Sequence, residues 1–412
     1  MAMIKPFKGV RPARRKVKAV ASPPYDVLNS SEARKQIIGK PYSFLHVVKP
    51  EIDLPEETNL YDESVYQKGK ENLYKMIKKG VLIQDKKPCF YLYRLKMGNI
   101  DQIGLVAGAS IEDYENDIIK KHEFTRAEKE ADRIKHVDIL NANTGPVFLT
   151  YKARDDMNNL VSELIKKKPI YNFEADNGIR HIFWKIDDEK NIEKIINIFK
   201  DIDYLYVADG HHRSASGTIV GQRRRKANPE HTGEEEYNYF LSVIFPHDQL
   251  YIMDYNRVVK DLNDHSVKEF LELVEEKFET SSMDTPYRPE SLHNFGMYLD
   301  GTWYKLLAKK GTFSEHDLVK SLDVSILQEN LLAPILGIGD PRKDKRIDFI
   351  GGIRGMEELS RRVDTGEAVA FSMYPTSIEQ LMAITDAGKV MPPKSTWFEP
   401  KLRSGVIVHL LD

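Results

Sequence analysis

Apolar residues follow two spacings along this chain, and each predicts a different element. A recurrence every three to four residues marks amphipathic helices. It runs through Tyr61, Val65, Leu73 and Ile77 across 60–79, with Gly80 placed where a helix-ending glycine belongs. It returns in Val267, Phe270, Leu271, Val274 and Phe278, which predicts a helix over 266–278. Further helices are expected from 30, near 157–167, 191–199, 314–322 and 324–336, after Gly352, and over 378–387. Short unbroken apolar runs predict buried strands: 43–48 (carrying His46), 89–94 paired with 102–108, a strand ending at Tyr151, 180–186, 239–245, 250–254, 345–350 and 368–373. Asp300-Gly301, inside 297–306, suits a type I′ hairpin turn.

One such run matters more than the others. Tyr204-Leu205-Tyr206-Val207-Ala208 reads as a strand, Asp209-Gly210 as a tight turn, and Ser214-Ala215-Ser216-Gly217 as the start of a helix. A strand that turns into a helix presents backbone N–H groups and the positive end of the helix dipole above the turn. His211, His212 and Arg213 stand at that spot beside Asp209. Phosphate handling needs such groups, so the corner is expected to be an anion site.

Composition changes this picture little. With 412 residues the chain can hold two or three domains, and 41% hydrophobic against 30% charged residues describes a globular protein. A formal charge of −2 gives no bulk attraction to nucleic acid, and no apolar run reaches the roughly 18 residues of a membrane span. Cys89 is the only cysteine, which rules out an intramolecular disulfide and disfavours a cysteine zinc site. The basic N-terminus lacks a signal-peptide core. A mitochondrial presequence is conceivable, but the cytoplasm is the expected location.

Four other stretches carry candidate chemistry. Pro23-Pro24 holds Tyr25 and Asp26 on a rigid path, either as a surface loop or as the edge of a pocket. Between Ile118 and Arg133, His122, Glu123, two further lysines at 120 and 121, and Lys129-Glu130-Ala131-Asp132-Arg133 are crowded together. The choice there is a solvated helix with ion pairs or a functional segment. Gly221 to Lys226 is expected to begin a basic surface loop. The tail 390–405, with Lys394, Ser395, Thr396, Lys401 and Arg403 among its prolines, reads either as a strap between domains or as a phosphate- or carboxylate-binding loop. No repeat and no Walker-type loop is present.

Asp209-Gly210-His211-His212-Arg213 resembles the phosphate loop of the ParB/sulfiredoxin-like superfamily, in the form found in its free serine kinases. Over nearly its whole length the chain also looks like the domain-of-unknown-function 1015 family. The matching stretches are Ser22–Val27, Lys121–Thr125 with Lys129–Arg133, Ala208–Arg213 and Met391–Lys401. The resemblance implies an α+β fold: a ParB/sulfiredoxin-like nucleotide-binding core over 109–260, an N-terminal α/β region over 1–108 and a C-terminal α/β domain over 261–412. It further implies a nucleotide-dependent serine kinase, or a phosphoserine-handling enzyme working in reverse or as a phosphatase, taking Mg2+ with ATP or ADP, with room for a homodimer. Glu123 would be the base, with Asp209, His211 and His212 beside it. Gly210, Arg213, Ser214 and Lys121 would hold phosphate, Asp209 could take the metal, and Tyr25, Asp26, Lys394, Ser395 and Thr396 could meet substrate. Two rivals remain at this stage: a non-catalytic nucleotide- or phosphometabolite-binding regulator on the same scaffold, and a metal hydrolase built on His211, His212 and Asp209.

Overall fold

The computed structural model describes residues 1–412. It is a mixed α+β chain whose contacts divide it into two units, each with its own sheet. The first comprises 1–121, 125–250 and 400–412; the second comprises 122–124 and 251–399. No helix is long and apolar enough to cross a membrane.

The first unit is built on β1 (Ile4–Lys5), β2 (Phe90–Met97), β3 (Ile100–Ser110), β4 (Ile119–Lys120), β5 (Val147–Tyr151), β6 (Tyr171–Glu174), β7 (Arg180–Ile186), β8 (Leu205–Asp209) and β9 (Tyr239–Pro246). These pair in the order β4-β8-β5-β9-β3-β2-β7-β6, with β1 added beside β3. Pairing is antiparallel except for β8 with β4 and β9 with β5. Continuous apolar runs make the central strands. Every residue of β5 is buried, and so are the last seven of β9's eight, because both faces of the sheet are covered. The main helices are α1 (Glu63–Lys78), α2 (Ala127–Leu140) and α3 (His211–Ala227).

The second unit holds an antiparallel six-stranded sheet. Its strands are β10 (Tyr255–Val259), β11 (Phe278–Met283), β12 (Asn294–Leu299), β13 (Thr302–Ala308), β14 (Ile347–Gly351) and β15 (Val369–Ser372). Their order is β11-β13-β12-β15-β10-β14. Asp300 and Gly301 both take positive φ, 46° and 77°, so the β12–β13 hairpin closes as its Asp-Gly pair requires.

Three expectations fail for identifiable reasons. The 43–48 run is not a strand: Leu45–Val48 is a helical turn whose Leu45, Val47 and Val48 are buried, and a short, wholly buried helix shows the same unbroken apolar run as a buried strand. The 314–322 stretch forms turns, because the Asp317 side chain accepts the N–H groups of Val319 and Lys320 and so competes with helix. The basic run 221–226 is not a loop but the end of α3. Gly221 is there for close approach, since a Cβ would stand 2.4 Å from the Tyr237 carbonyl oxygen. The expected helix from 30 does form, and Asn29 and Glu32 cap it in a reciprocal capping box.

Burial also sets a pH response in the second unit. Asp323 is 5% exposed and accepts the His293 N–H at 2.9 Å, while its other oxygen has no partner. Burial outweighs that hydrogen bond and pushes the carboxyl up to about 7. A folded-state value raised above the unfolded one means that stability falls as pH rises from about 4 through 7. Asp323→Asn keeps the acceptor and removes the titration. It is expected to flatten that slope and gain on the order of 2 kcal/mol at pH 8, read by urea unfolding from pH 5 to 8. Parallel slopes in the two proteins would refute the assignment.

Candidate functional site

Strand β8 ends at Asp209, and Gly210 turns the chain with φ 98° and ψ 33° into α3. The corner therefore needs glycine for its backbone, and for space as well. A Cβ on Gly210 would lie 3.0 Å from Nε and 3.1 Å from Cζ of Arg213, whose guanidinium lies over the turn. The first turn of α3 directs N–H groups out of the helix end toward the same place.

Arg213 is held from several sides. Its Nη1 donates to the Pro146 carbonyl, and its Nη2 stands 3.7 Å from Asp209 and 3.9 Å from Asp26. The Nε–H is buried with no hydrogen-bond partner. Asp209 in turn receives Lys401 Nζ at 3.0 Å. Burial alone would raise the Asp209 carboxyl, but Lys401, Arg213 and His211 beside it keep it well below the usual carboxylate range. It is thus ionised at all working pH and fixes two cations. A carboxylate already committed to Lys401 and Arg213 does not suit direct coordination of a divalent metal ion.

Two more sequence segments reach this place within the first unit. Tyr25, beside Asp26 on the diproline turn, lies under the Arg133 guanidinium, with Cζ 4.2 Å from the ring centroid. Burial and the neighbouring Asp26 outweigh the opposing pull of Arg133 and Arg213, so the phenol is pushed up to about 12 and stays protonated. Arg133 bonds Asp132 at 2.8 and 2.9 Å, and the Tyr66 hydroxyl donates to Asp132 at 2.9 Å. Asp132 and Arg133 are therefore not surface ion-pair residues of a solvated helix: Asp132 is buried and Arg133 half-buried, stacked on Tyr25 of the diproline turn.

Tyr25, Arg133, His136, Asn143, Thr144 and Arg213 line one narrow cleft with a volume of about 30 Å³. Burial and the nearby Arg133 hold the His136 imidazole down at about 3, and its Nε2 meets the Val47 carbonyl at 3.1 Å. It is neutral, so the cleft's fixed charge comes from its two guanidinium groups. Such a cleft can offer a small anion its guanidinium groups, with Asn143 and Thr144 beside them.

The remaining candidates lie as follows. His211 is buried, and His212 Nε2 accepts the Arg126 N–H at 3.1 Å, so that imidazole is oriented by backbone. The Ser214 hydroxyl is buried and donates back to the His211 carbonyl at 3.1 Å. Lys121 pairs with Asp117 at 2.6 Å and donates to the Tyr114 carbonyl. Residues 122–124, with Glu123, belong to the second unit, where the His122 carbonyl accepts the Met391 N–H at 2.9 Å. Lys394, Ser395 and Thr396 belong there too. Lys394 takes φ 61°, its ammonium stands 5.6 Å from the Tyr255 ring, and Ser395 donates to the Pro392 carbonyl at 2.6 Å. The tail is thus divided, with 391–399 in the second unit and Lys401 to Asp412 in the first.

Sequence reasoning missed Lys401, Asp132, Arg133, Asn143 and Thr144 as members of this constellation. Lys401 and the Asp132-Arg133 pair stood in quoted motifs; no local pattern marked Asn143 or Thr144.

Among solved structures the chain is similar to SbnI with a C-terminal truncation from Staphylococcus aureus, at 12% identity and TM-score 0.39, covering 73% of this chain and 85% of that one. It is similar to free serine kinase in complex with AMP at 14% identity and TM-score 0.36, covering 74% and 89%. A conserved hypothetical protein from Pyrococcus furiosus matches at 14% identity and TM-score 0.34, covering 68% and 87%. These are distant likenesses of shape. No curated protein matches the sequence. The model of the family described as protein of unknown function (DUF1015) matches residues 4–325, a span that contains the diproline turn, Asp132-Arg133 and the Asp209–Arg213 corner, and the chain belongs to that family.

Proposed function

We propose that this chain is a phosphotransferase acting on the hydroxyl of free serine, or on phosphoserine in reverse, with ATP or ADP as phosphate partner, on a ParB/sulfiredoxin-like core. The observation that supports the phosphate half is the placement of Arg213. It is a fixed guanidinium with a buried, unpartnered Nε–H, set over a glycine turn at the N-terminus of a long helix. The serine half rests on the likeness of Asp209–Arg213 to the free serine kinases.

Phosphoryl transfer asks the protein mainly for positioning and charge. In this reading Arg213 and the α3 N-terminus hold the transferred phosphate, and Asp209 orients Arg213 and Lys401 toward it. Glu123 accepts the serine hydroxyl proton as the Oγ–P bond forms and the bond to the nucleotide's leaving oxygen breaks. Tyr25 and Asp26 edge the phosphate cleft, while Lys394, Ser395 and Thr396 are assigned to the serine side. Mg2+ would arrive with the nucleotide; no step here passes through it.

Phosphorus NMR of the protein with serine, Mg2+ and ATP or ADP tests this directly. Phosphoserine should form with the native protein and fall about a hundredfold or more in Glu123→Gln, with a smaller loss in His212→Ala. Undiminished turnover in both variants would sink the assigned site. Saturable nucleotide binding without any turnover would favour the regulatory alternative.

A further inference from the structure

A second cleft in the first unit has no part in the reading above. It has a volume of about 490 Å³ and opens to solvent. Arg15, Lys18, Lys40 and Arg403 line it against a single acid, Asp176. Lys40 Nζ is 3.1 Å from Asp176, and Arg403 Nη2 donates to Asn177 at 2.9 Å, so both are oriented. Lys18 and Arg403 also act on Asp176, whose carboxyl these neighbours hold below its ordinary value, Lys40 most strongly. The lining thus carries four cations and one acid.

Two aromatic rings complete the walls. Tyr42 carries the Lys16 ammonium 4.8 Å from its ring centroid, and Phe173 stacks on His181 with centroids 5.2 Å apart and planes 22° apart. Each ring is thus braced on one side by a neighbour. Ala19, Ala21 and Ala175 add small apolar side chains to the lining. Braced rings beside a rim rich in cations suit a flat apolar body that carries a negative charge.

The wall between this cleft and the one at Arg213 is a backbone bridge. The Ser22 N–H donates to the Ser404 carbonyl at 3.1 Å, and the Ser404 N–H donates back to Ser22 at 3.0 Å. Ser22, Pro23 and Arg403 line the basic cleft, while Pro24, Tyr25 and Ser404 line the other. One ligand therefore cannot fill both. We propose that the basic cleft is a separate binding site for a small aryl or heteroaryl phosphate, its phosphate on the Arg15, Lys18 and Arg403 rim and its ring between Tyr42 and Phe173.

The proposal stands without the serine reading, and its probe is phenyl phosphate, titrated into the full-length chain by calorimetry, with inorganic phosphate and phenol as half-probes. Saturable binding should survive Arg213→Ala and weaken about tenfold or more in an Arg15→Ala/Lys18→Ala double variant. Both rim residues are exposed, so the double variant should fold. Both half-probes should bind more weakly than phenyl phosphate. Binding lost in Arg213→Ala but unchanged in the double variant, no saturable binding, or inorganic phosphate as tight as phenyl phosphate would each overturn the proposal.

Discussion

Arg213→Ala should weaken ATP and ADP binding about a hundredfold, a loss of ~2.7 kcal/mol, and remove detectable phosphate transfer. The expectation follows from what surrounds the guanidinium. Asp209 and Asp26 flank it at 3.7 and 3.9 Å, and the Pro146 carbonyl fixes its remaining edge. Removing Arg213 takes away the positive group and leaves those two carboxylates facing the cleft, with Lys401 and His211 to offset Asp209. Phosphate would then meet net repulsion. Arg213→Lys is the sharper probe, because it keeps the charge and loses the planar fork. It should bind nucleotide at an affinity between those of the native protein and Arg213→Ala. Calorimetric titration with ATP and ADP measures both, and thermal unfolding checks that each variant is folded. Affinities within twofold of native in Arg213→Ala would remove the corner from the nucleotide site.

The second large effect is expected at Gly210. Alanine there suffers twice: φ 98° lies outside what an L side chain readily adopts, and the new Cβ would stand 3.0 Å from Arg213 Nε. Gly210→Ala should cost about 1–3 kcal/mol of stability and displace Arg213, so nucleotide affinity falls as well. Gly233 separates the two causes. It takes φ 95°, yet a Cβ there has nothing within 4 Å. Gly233→Ala should show a comparable stability loss with unchanged nucleotide binding. If the two variants bound nucleotide equally, the contact with Arg213 would have no functional weight.

The corner and its surroundings differ in how well they could be read. Asp209 to Arg213 was legible because one local event, a strand turning through glycine into a helix, carries its own signature within ten residues. The α3 helix was only half legible. Gly221 looked like a helix stop because glycine's two uses, breaking a helix and letting it approach a neighbour, look identical in sequence. Asp132-Arg133 stayed open between a solvated helix and a functional segment, because alternating charges on a helix describe a solvated face until something comes to cover it. Here Tyr25 and Tyr66 cover it.

Local chemistry alone determined the helices and strands with clean periodicity, the Asp300-Gly301 hairpin, the strand–glycine–helix form of the Asp209–Arg213 turn and the rigidity of the diproline path. Each depends on interactions between residues near in sequence, which a linear pattern records. Only the tertiary structure decided that Lys401, 192 residues away, is the counter-ion of Asp209, and that Arg133 and Tyr25 share a cleft with Arg213. It also decided that Ser22 and Ser404 form one wall with a cleft on each face. Electrostatic partners of a buried carboxylate are selected by distance in space, and distance in space is set by how the nine-stranded sheet closes, not by spacing along the chain.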